Sequence, residues 1–353
     1  MAKKRKTLPD NLQEIIDSKD MELFKDVFNK CEISATNKGK TTSNVFTYKN
    51  LTIEHLRFLI ENGIDVNADS GSGHTPAAFL ADDTELLKYL IEHGADIDYA
   101  IPMSYGSRGN ALFCCACSHR AQAVENLISC GAAPEPRGGW DNNTALDESL
   151  RCCRGIDIPN MVKIARVLLS AGAKSSDKTN KLVKKIGEDF EFHRSAFNPE
   201  IVDDISDSLD ELYEIFQVEP VPRRVSYDGK TPITVNGNTW QKQFDELWKL
   251  LVPGNGHAAT VQGEVIRIIG KITYEVLDNG GINWDDEYKK LIDALCVYFE
   301  MFNSETAERA CSLAKKITSQ SDESTLYSLT ELAVKWVLDN NQPIPLNEVD
   351  YKR

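Results

Sequence analysis

Apolar residues in the first half of the chain recur at three- and four-residue spacing in short blocks, and four of these blocks share one design. They are LRFLIENGIDVN from Leu56, LLKYLIEHGADID from Leu86, AVENLISCGAAPE from Ala123 and IARVLLSAGAKSS from Ile164. Each predicts an amphipathic helix stopped by glycine, at Gly63, Gly94, Gly131 and Gly172. Glycine takes the left-handed conformation that ends a helix, and Ala95, Ala132 and Ala173 behind it are small enough for neighbouring units to stack. Upstream of each stop a shorter apolar helix is expected. The clearest is GHTPAAFLA (73–81), with Thr75 placed to cap it and Pro76 at its first position, where a missing N–H is harmless.

A Thr-Pro helix start, a second Leu-rich helix, then Gly-Ala-Asp and a turn resembles the ankyrin repeat, over about residues 10–176. The interval from the start of the first helix to the stop is 21 residues for Thr42 to Gly63 and for Asn110 to Gly131. It is 19 for Thr75 to Gly94 and 28 for Thr144 to Gly172, so one unit is trimmed and another carries an insertion around CRGIDIP (153–159). The segment LQEIIDSKDMELFKDVFNKC (12–31) has the same helix pair with polar residues on its outer side and Cys31 in the glycine's place, as an N-terminal cap of a solenoid requires. The resemblance implies turns that project as fingers beside a concave binding face. The connections 96–110 and 132–143 are rich in Gly and Pro and carry Tyr99, Tyr105, Arg108, Arg137 and Trp140, side-chain types that dominate interface hot spots. A competing reading folds these aromatics back onto their own loops.

Beyond Ala173 the repeat signal fades. A helix is expected after Pro199, with Ile201, Val202, Ile205, Leu209, Leu212, Tyr213 and Phe216 on one side and Asp203, Asp207, Asp210 and Glu214 along the other. Neighbouring like charges cost a few tenths of a kcal/mol each, a liability that a basic partner would relieve, although a solvated outer face has the same pattern. Residues 219–238 hold three prolines and the turns Asp228-Gly229 and Asn236-Gly237-Asn238, which read as a linker with a small β-hairpin. From Thr239 onward five helical patterns follow, with stops at Pro253-Gly254, Asn279-Gly280-Gly281, Asn303 and Ser319-Gln320-Ser321. They predict a helical bundle. The block LVPGNGHAATVQGEVIRIIGK (251–271) with residues 279–284 is similar to a small helical domain of uncharacterised bacterial proteins, a likeness that implies no activity.

The expected fold class is therefore all-α, an ankyrin-like solenoid followed by a bundle. A length of 353 residues with 41% apolar content supplies a core for each. The expected organisation is a disordered basic tail at 1–9, the capped solenoid at 10–198, the acidic helix and linker at 199–238, the bundle at 239–342 and a tail at 343–353. No apolar run approaches the roughly 18 residues of a membrane span, and no hydrophobic stretch follows the charged start MAKKRKTLPDN. Nine cysteines, an odd number with adjacent pairs at 114–115 and 152–153, suit reduced thiols in a cytoplasmic setting better than a disulfide framework. The run Lys3-Lys4-Arg5-Lys6 reads as a solvated tail rather than a nuclear address. The net charge of −14 argues against a nucleic-acid partner, since phosphate contacts need a basic surplus. Residues 188–219 alone hold eleven acidic side chains against Arg194, ten of the fourteen net charges, so this stretch stays solvated or meets something basic.

Catalytic signatures are mostly missing: there is no GxxxxGK[ST], GxSxG, HExxH or Rossmann fingerprint. Cys114, Cys115, Cys117 and His119 have zinc-ligand chemistry, but they lie on a repeat helix without paired CxxC knuckles, where cysteine serves as a small hydrophobe. His257, Thr260, Gln262, Glu264 and Arg267 gather around a helix start. A His-Glu pair there has the groups for acid–base work, while the plainer reading makes Thr260 the cap and Glu264 the partner of Arg267. The reading that follows is a protein-binding adaptor or inhibitor that needs no cofactor and meets a partner with a basic surface, of the kind of a bacterial immunity protein, antitoxin or counter-defence factor. The alternative is an enzyme whose bundle is catalytic and whose repeats recruit substrate.

Overall fold

The computed structural model describes residues 3–38, 43–103, 106–302 and 304–353, with positions 103, 106 and 107 described by their backbone alone. Thr42, Tyr105 and Asn303, which the sequence singles out, lie outside the described residues. The chain divides into two compact units. The first runs through Phe190 and resumes over Asn198–Val221, and the second joins Glu191–Phe197 to Pro222–Arg353.

The first unit is a stack of helix pairs. Helices α1 (Leu12–Asp17) and α2 (Met21–Lys30) open it, followed by a 3-10 turn (Val45–Thr47) with α3 (Ile53–Glu61), then α4 (Pro76–Leu80) with α5 (Thr84–Glu92). Next come α6 (Ala111–Cys117) with α7 (Ala121–Ser129), and α8 (Ala145–Cys152) with α9 (Ile158–Ser170). The first helices of successive pairs pack together, α6 against both α4 and α8, and so do second helices, α3 with α5 and α7 with α9. Most helix starts are capped as the sequence suggests, Asn110 accepting from the Phe113 N–H and Thr144 from the Asp147 N–H. Thr75 is an exception. It stands ahead of Pro76, but its buried hydroxyl makes no cap bond and has no partner among the described residues.

All four glycines stop their helices in the left-handed region, with φ of +82° at Gly63, +97° at Gly94, +95° at Gly131 and +104° at Gly172. The following N–H then turns back onto a carbonyl of the last turn, Ile64 to Leu59, Ala95 to Leu90, Ala132 to Leu127 and Ala173 to Leu168, at 3.0 to 3.1 Å. Four positions after each of the first three stops a polar side chain reaches the next unit. The Asn67 amide donates to the Gly94 carbonyl (2.9 Å) and accepts from the Asp96 N–H (2.8 Å). Asp98 accepts from the Ala133 N–H (3.0 Å) and Glu135 from the Lys174 N–H (2.8 Å).

The repeat stack is longer than the sequence suggests. Helices α10 (Asp177–His193) and α11 (Val202–Phe216) form one more pair, with α11 against α9 and the Thr179 hydroxyl of α10 donating to Asp147 of α8 (2.7 Å). The division between the two units falls near the end of α10. The acidic helix expected beside a linker is thus part of the first unit. Its stop was invisible because Gln217 supplies it, at φ +52°, with the Val218 N–H returning to the Tyr213 carbonyl (3.0 Å). The pair closes through Gly187, where an added Cβ would stand 1.7 Å from the Tyr213 hydroxyl oxygen.

The N-terminal segment also departs from the expected disordered tail. Strand β1 (Arg5–Thr7) pairs in parallel with β2 (Cys31–Thr36), the Leu8 N–H bonds the Thr36 carbonyl (2.9 Å), and the Leu8 side chain is buried. With Cys31 in the glycine's place the backbone leaves α2 extended, at φ −112°, and so offers a strand edge that the first residues cover.

In the second unit α12 (Trp240–Leu251), α13 (Val261–Thr273), α14 (Asp286–Glu300), α15 (Glu305–Ala314) and α16 (Glu323–Asp339) form the bundle, with a π turn (Tyr274–Asp278) continuing α13. Helix α13 is buried on all sides, from Val265 and Ile266 to Ile268, Ile269 and Ile272, and α12, α14 and α16 pack around it. No hairpin forms in 219–238. Ile233 instead enters the bundle core, and its N–H bonds the Asn341 carbonyl (2.9 Å). Nor are residues 343–353 a free tail: Val261 N–H donates to Ile344 O (2.8 Å), Leu346 N–H to Ala259 O (3.1 Å), and Tyr351 is buried.

Two substitutions test the helix stops. Nothing lies within 4 Å of a Cβ built at Gly131, so Gly131→Val suffers backbone strain alone and should lose about 1–2 kcal/mol in urea unfolding. Gln217→Gly should move the other way, by about 0.5–1 kcal/mol, because it releases the same strain.

Candidate functional site

The fingers of the first unit are short hairpins. Strands β3 (Pro102–Met103) and β4 (Gly106–Ser107) make one, and β5 (Arg137–Gly138) and β6 (Asn143–Thr144) the next. They touch: a Cβ at Gly138 would stand 2.8 Å from the Gly109 Cα and 3.0 Å from the Arg108 carbonyl oxygen. Arg108 and Arg137 therefore lie on adjoining backbone and both are exposed. The Arg137 guanidinium donates to the Asn142 carbonyl (3.1 Å), which ties the root of its hairpin. Trp140, in the turn between β5 and β6, is 87% exposed, and Tyr99 is 38% exposed. Trp140 thus presents a large apolar surface to solvent on a finger turn.

On α11 the carboxylates Asp203, Asp207, Asp210 and Glu214 are all exposed, opposite buried Ile205, Leu209, Leu212 and Phe216. Glu211, which is outside this stripe, pairs with Arg166 of α9 (2.8 Å). Sequence reasoning missed a groove in the same unit, about 620 Å³ in volume, where Asp82, Arg120, Glu125, Lys163 and Arg166 meet. Its residues come from three different pairs, and their spacing in the chain gives no sign of it.

The cysteines of α6 serve separate partners. The Cys114 sulfur lies 3.0 Å from His74 Nδ1, the buried Cys115 thiol donates to the Ala78 carbonyl (3.6 Å), and His119 Nε2 donates to the Ser149 carbonyl (3.0 Å). Burial pushes the Cys114 and Cys115 thiols up to about 11 and about 12, so neither is a thiolate near neutrality. Among the described residues no group of three His, Cys, Asp or Glu side chains stands close enough to hold a metal ion.

In the second unit the residues gathered by sequence around 257–267 do come together. Thr260 accepts from the Gly263 N–H (3.2 Å) at the start of α13. Gln262 bonds the carbonyls of Asn340 (2.8 Å) and Gln342 (2.7 Å) and accepts from the Ile344 N–H (3.0 Å), which fastens the C-terminal segment. Glu264, fully buried, is clasped by Arg267 through Nε (2.8 Å) and Nη2 (2.5 Å), by the Ala258 N–H (3.0 Å) and by the Tyr351 hydroxyl (2.9 Å). His257 Nδ1 sits 3.0 Å from both Glu264 Oε1 and Arg267 Nη2, so a ring with hydrogen on Nδ1 donates to the carboxylate and one without it accepts from the guanidinium. Tyr298 and Tyr351 join their hydroxyls at 2.8 Å. Burial alone would raise the Glu264 carboxyl, but Arg267, the Ala258 N–H and His257 overcome it and hold the group down at about 2. A carboxylate that acidic and that fully bonded is a poor proton shuttle at neutral pH, and its geometry is that of a structural anchor. Tyr298 and Tyr351 were missed because Tyr351 meets Glu264 across 87 residues of chain.

No family model matches the chain, and no curated protein matches it. Among solved structures it is similar to the crystal structure of an ankyrin repeat domain from Acinetobacter baumannii AYE, at 23% identity and a TM-score of 0.37, over 56% of this chain and 95% of that one. The architecture of the first unit rests on its own geometry. Paired antiparallel helices, left-handed stops and hairpin fingers in register make it an ankyrin-like helical solenoid. No described helix is long and apolar enough to cross a membrane.

The buried network generates a pH prediction. A folded carboxyl at about 2, against 4.5 for the free group, contributes stability that is fully present above about pH 4.5 and is lost as the pH falls toward 2. Glu264→Gln should remove on the order of 3 kcal/mol of that acid dependence. It should also be less stable at pH 7 by several kcal/mol, because Arg267 keeps its charge in the core without a counterion. Urea unfolding of both proteins between pH 7 and pH 2.5 measures the two effects.

Proposed function

We propose that the chain acts by binding another protein, as a non-enzymatic adaptor or inhibitor, through the fingers of its ankyrin-like unit. The observation that carries the reading is Trp140, 87% exposed on a hairpin turn next to the adjoining Arg108 and Arg137. A solvated indole is unfavourable for an isolated protein and becomes a strong anchor once a partner desolvates it. Repeat solenoids suit this role because their extended surface selects by shape and charge without a cofactor. Tyr99, 38% exposed, lies in the connection that leads to the neighbouring finger.

A basic partner surface is the natural complement. The net charge of −14 and the exposed Asp203, Asp207, Asp210 and Glu214 on α11 favour encounter with a positively charged protein and repel nucleic acid. Neutralisation of such a partner in the cytoplasm, as an immunity protein, antitoxin or counter-defence factor does, is the specific role that this charge supports. The bonding of Glu264 weighs against the reading of the bundle as an enzyme built on His257 and Glu264.

Capture of the full chain from its native host, with mass spectrometry of co-eluting proteins, should return one partner in stoichiometric amount. Trp140→Ala should weaken that complex by at least tenfold, chiefly through faster dissociation, with urea unfolding unchanged. Conversion of the four α11 carboxylates to Asn and Gln should slow association by about tenfold at low ionic strength and flatten its salt dependence. Full retention of affinity in Trp140→Ala would remove the fingers from the interface.

A further inference from the structure

The second unit contains a cavity of about 620 Å³ that has no part in the role proposed for the first unit and shares with the Glu264 network only Arg353, whose backbone carbonyl accepts from Arg267 (2.8 Å). Four aromatic rings line it, from Phe244, Trp248, Tyr274 and Tyr288, together with the cations of Lys271 and Arg353. The volume is that of a pocket for a small organic molecule.

The walls are built rather than incidental. Trp248 presses onto the backbone of α13 at Gly270, where an added Cβ would stand 2.1 Å from the indole, so only glycine lets the ring approach this closely. Phe244 lies beside it, ring centroids 6.0 Å apart, while Tyr288 is backed by Trp284, stacked at 5.1 Å with 9° between the planes. Tyr274 is the first residue of the π turn that follows α13, and the residue is 63% exposed. Such turns are rare and recur at functional sites, because the wider coil moves a side chain off the regular helical track.

The two cations differ in what they already hold. Arg353 pairs with Asp285, and its guanidinium covers the Tyr288 ring at 4.7 Å, so its charge is balanced within the chain. Lys271 is half-buried, and among the described residues no hydrogen bond or ion pair reaches its ammonium group. Burial, with Arg267 and Arg353 nearby, lowers its pKa, the mark of an ammonium short of negative charge. Asp245 is the one carboxylate in the lining. It disfavours a ligand with two negative charges and leaves a single one tolerable.

We propose that this cavity binds a small planar aromatic monoanion, a ring system bearing one carboxylate or sulfonate, with the rings between the aromatic walls and the anion against Lys271. The ring faces supply stacking and apolar burial, and the anion supplies the counterion that Lys271 lacks. An uncharged aromatic satisfies only the first requirement, and an aliphatic anion only the second.

Calorimetric titration of the full chain at pH 7 tests the proposal, with 2-naphthoate as the probe. Saturable one-to-one binding is expected. Both 2-naphthalenemethanol, which keeps the rings without the charge, and cyclohexanecarboxylate, which keeps the charge without the rings, should bind at least tenfold more weakly. Lys271→Met and Tyr274→Ala, at half-buried and exposed positions, should each lower the affinity for 2-naphthoate at least fivefold, with unchanged thermal unfolding showing that the fold is kept. Failure of 2-naphthoate to saturate would overturn the proposal, and so would equal affinity for the alcohol or undiminished binding in Lys271→Met. None of these results bears on partner binding by the first unit.

Discussion

The left-handed residue that ends each second helix after α2 is the constraint on which the first unit depends. A helix leaves its last carbonyls without partners, and one residue at positive φ lets the next N–H turn back and meet them. Gly63, Gly94, Gly131, Gly172 and Gln217 all do this. After Gly63, Gly94 and Gly131 the following turn reaches the neighbouring unit, and the polar side chains of Asn67, Asp98 and Glu135 find the same backbone site one repeat further on. Stacking of apolar faces contributes most of the stability, as in any solenoid, but the repeated stop sets the register in which the faces meet.

How much of this the sequence revealed follows from what each device requires. The glycines were legible because few other residues adopt that conformation, and with them the solenoid and its fingers. Gln217 was not legible, because nothing in the residue type announces a left-handed backbone, and so one helix pair was left out of the stack. The 3-10 turn at Val45–Thr47 stands where a helix was expected, and β-branched Val45 and Thr47 are poor helix formers. The two chain ends read as tails because each contributes only scattered apolar residues, Leu8 at one and Ile344, Leu346 and Tyr351 at the other. What places them is backbone pairing with segments far away in sequence, which no local pattern encodes.

The same distinction divides the candidate sites. His257, Thr260, Gln262, Glu264 and Arg267 lie within eleven residues around a helix start, so their association could be inferred from helical spacing. The groups that close around the cluster could not, since Tyr351 and the Arg353 carbonyl reach it from far along the chain. The aromatic cavity was hidden more completely. Phe244, Trp248, Tyr274 and Tyr288 each look like ordinary core positions of their helical segments, and the arrangement emerges only when Gly270 lets Trp248 against α13. Large rings at helical spacing encode burial, and whether the burial is complete is decided by the neighbours.

The rungs between turns also give the first unit a mechanical character. Asn67 joins its neighbour by two bonds, the Asp98 carboxylate receives both the Ala133 N–H and the Asn110 amide, and Glu135 receives the Lys174 N–H. Each joint can flex without disturbing the one beyond it, so the stack behaves as a row of springs in series. The third joint, where Glu135 makes a single bond just before the hairpin of Trp140, has the fewest of these bonds. A joint held by one bond constrains the neighbouring repeat less than one held by two, so these rungs fix the Trp140 finger to the repeat beyond it least tightly.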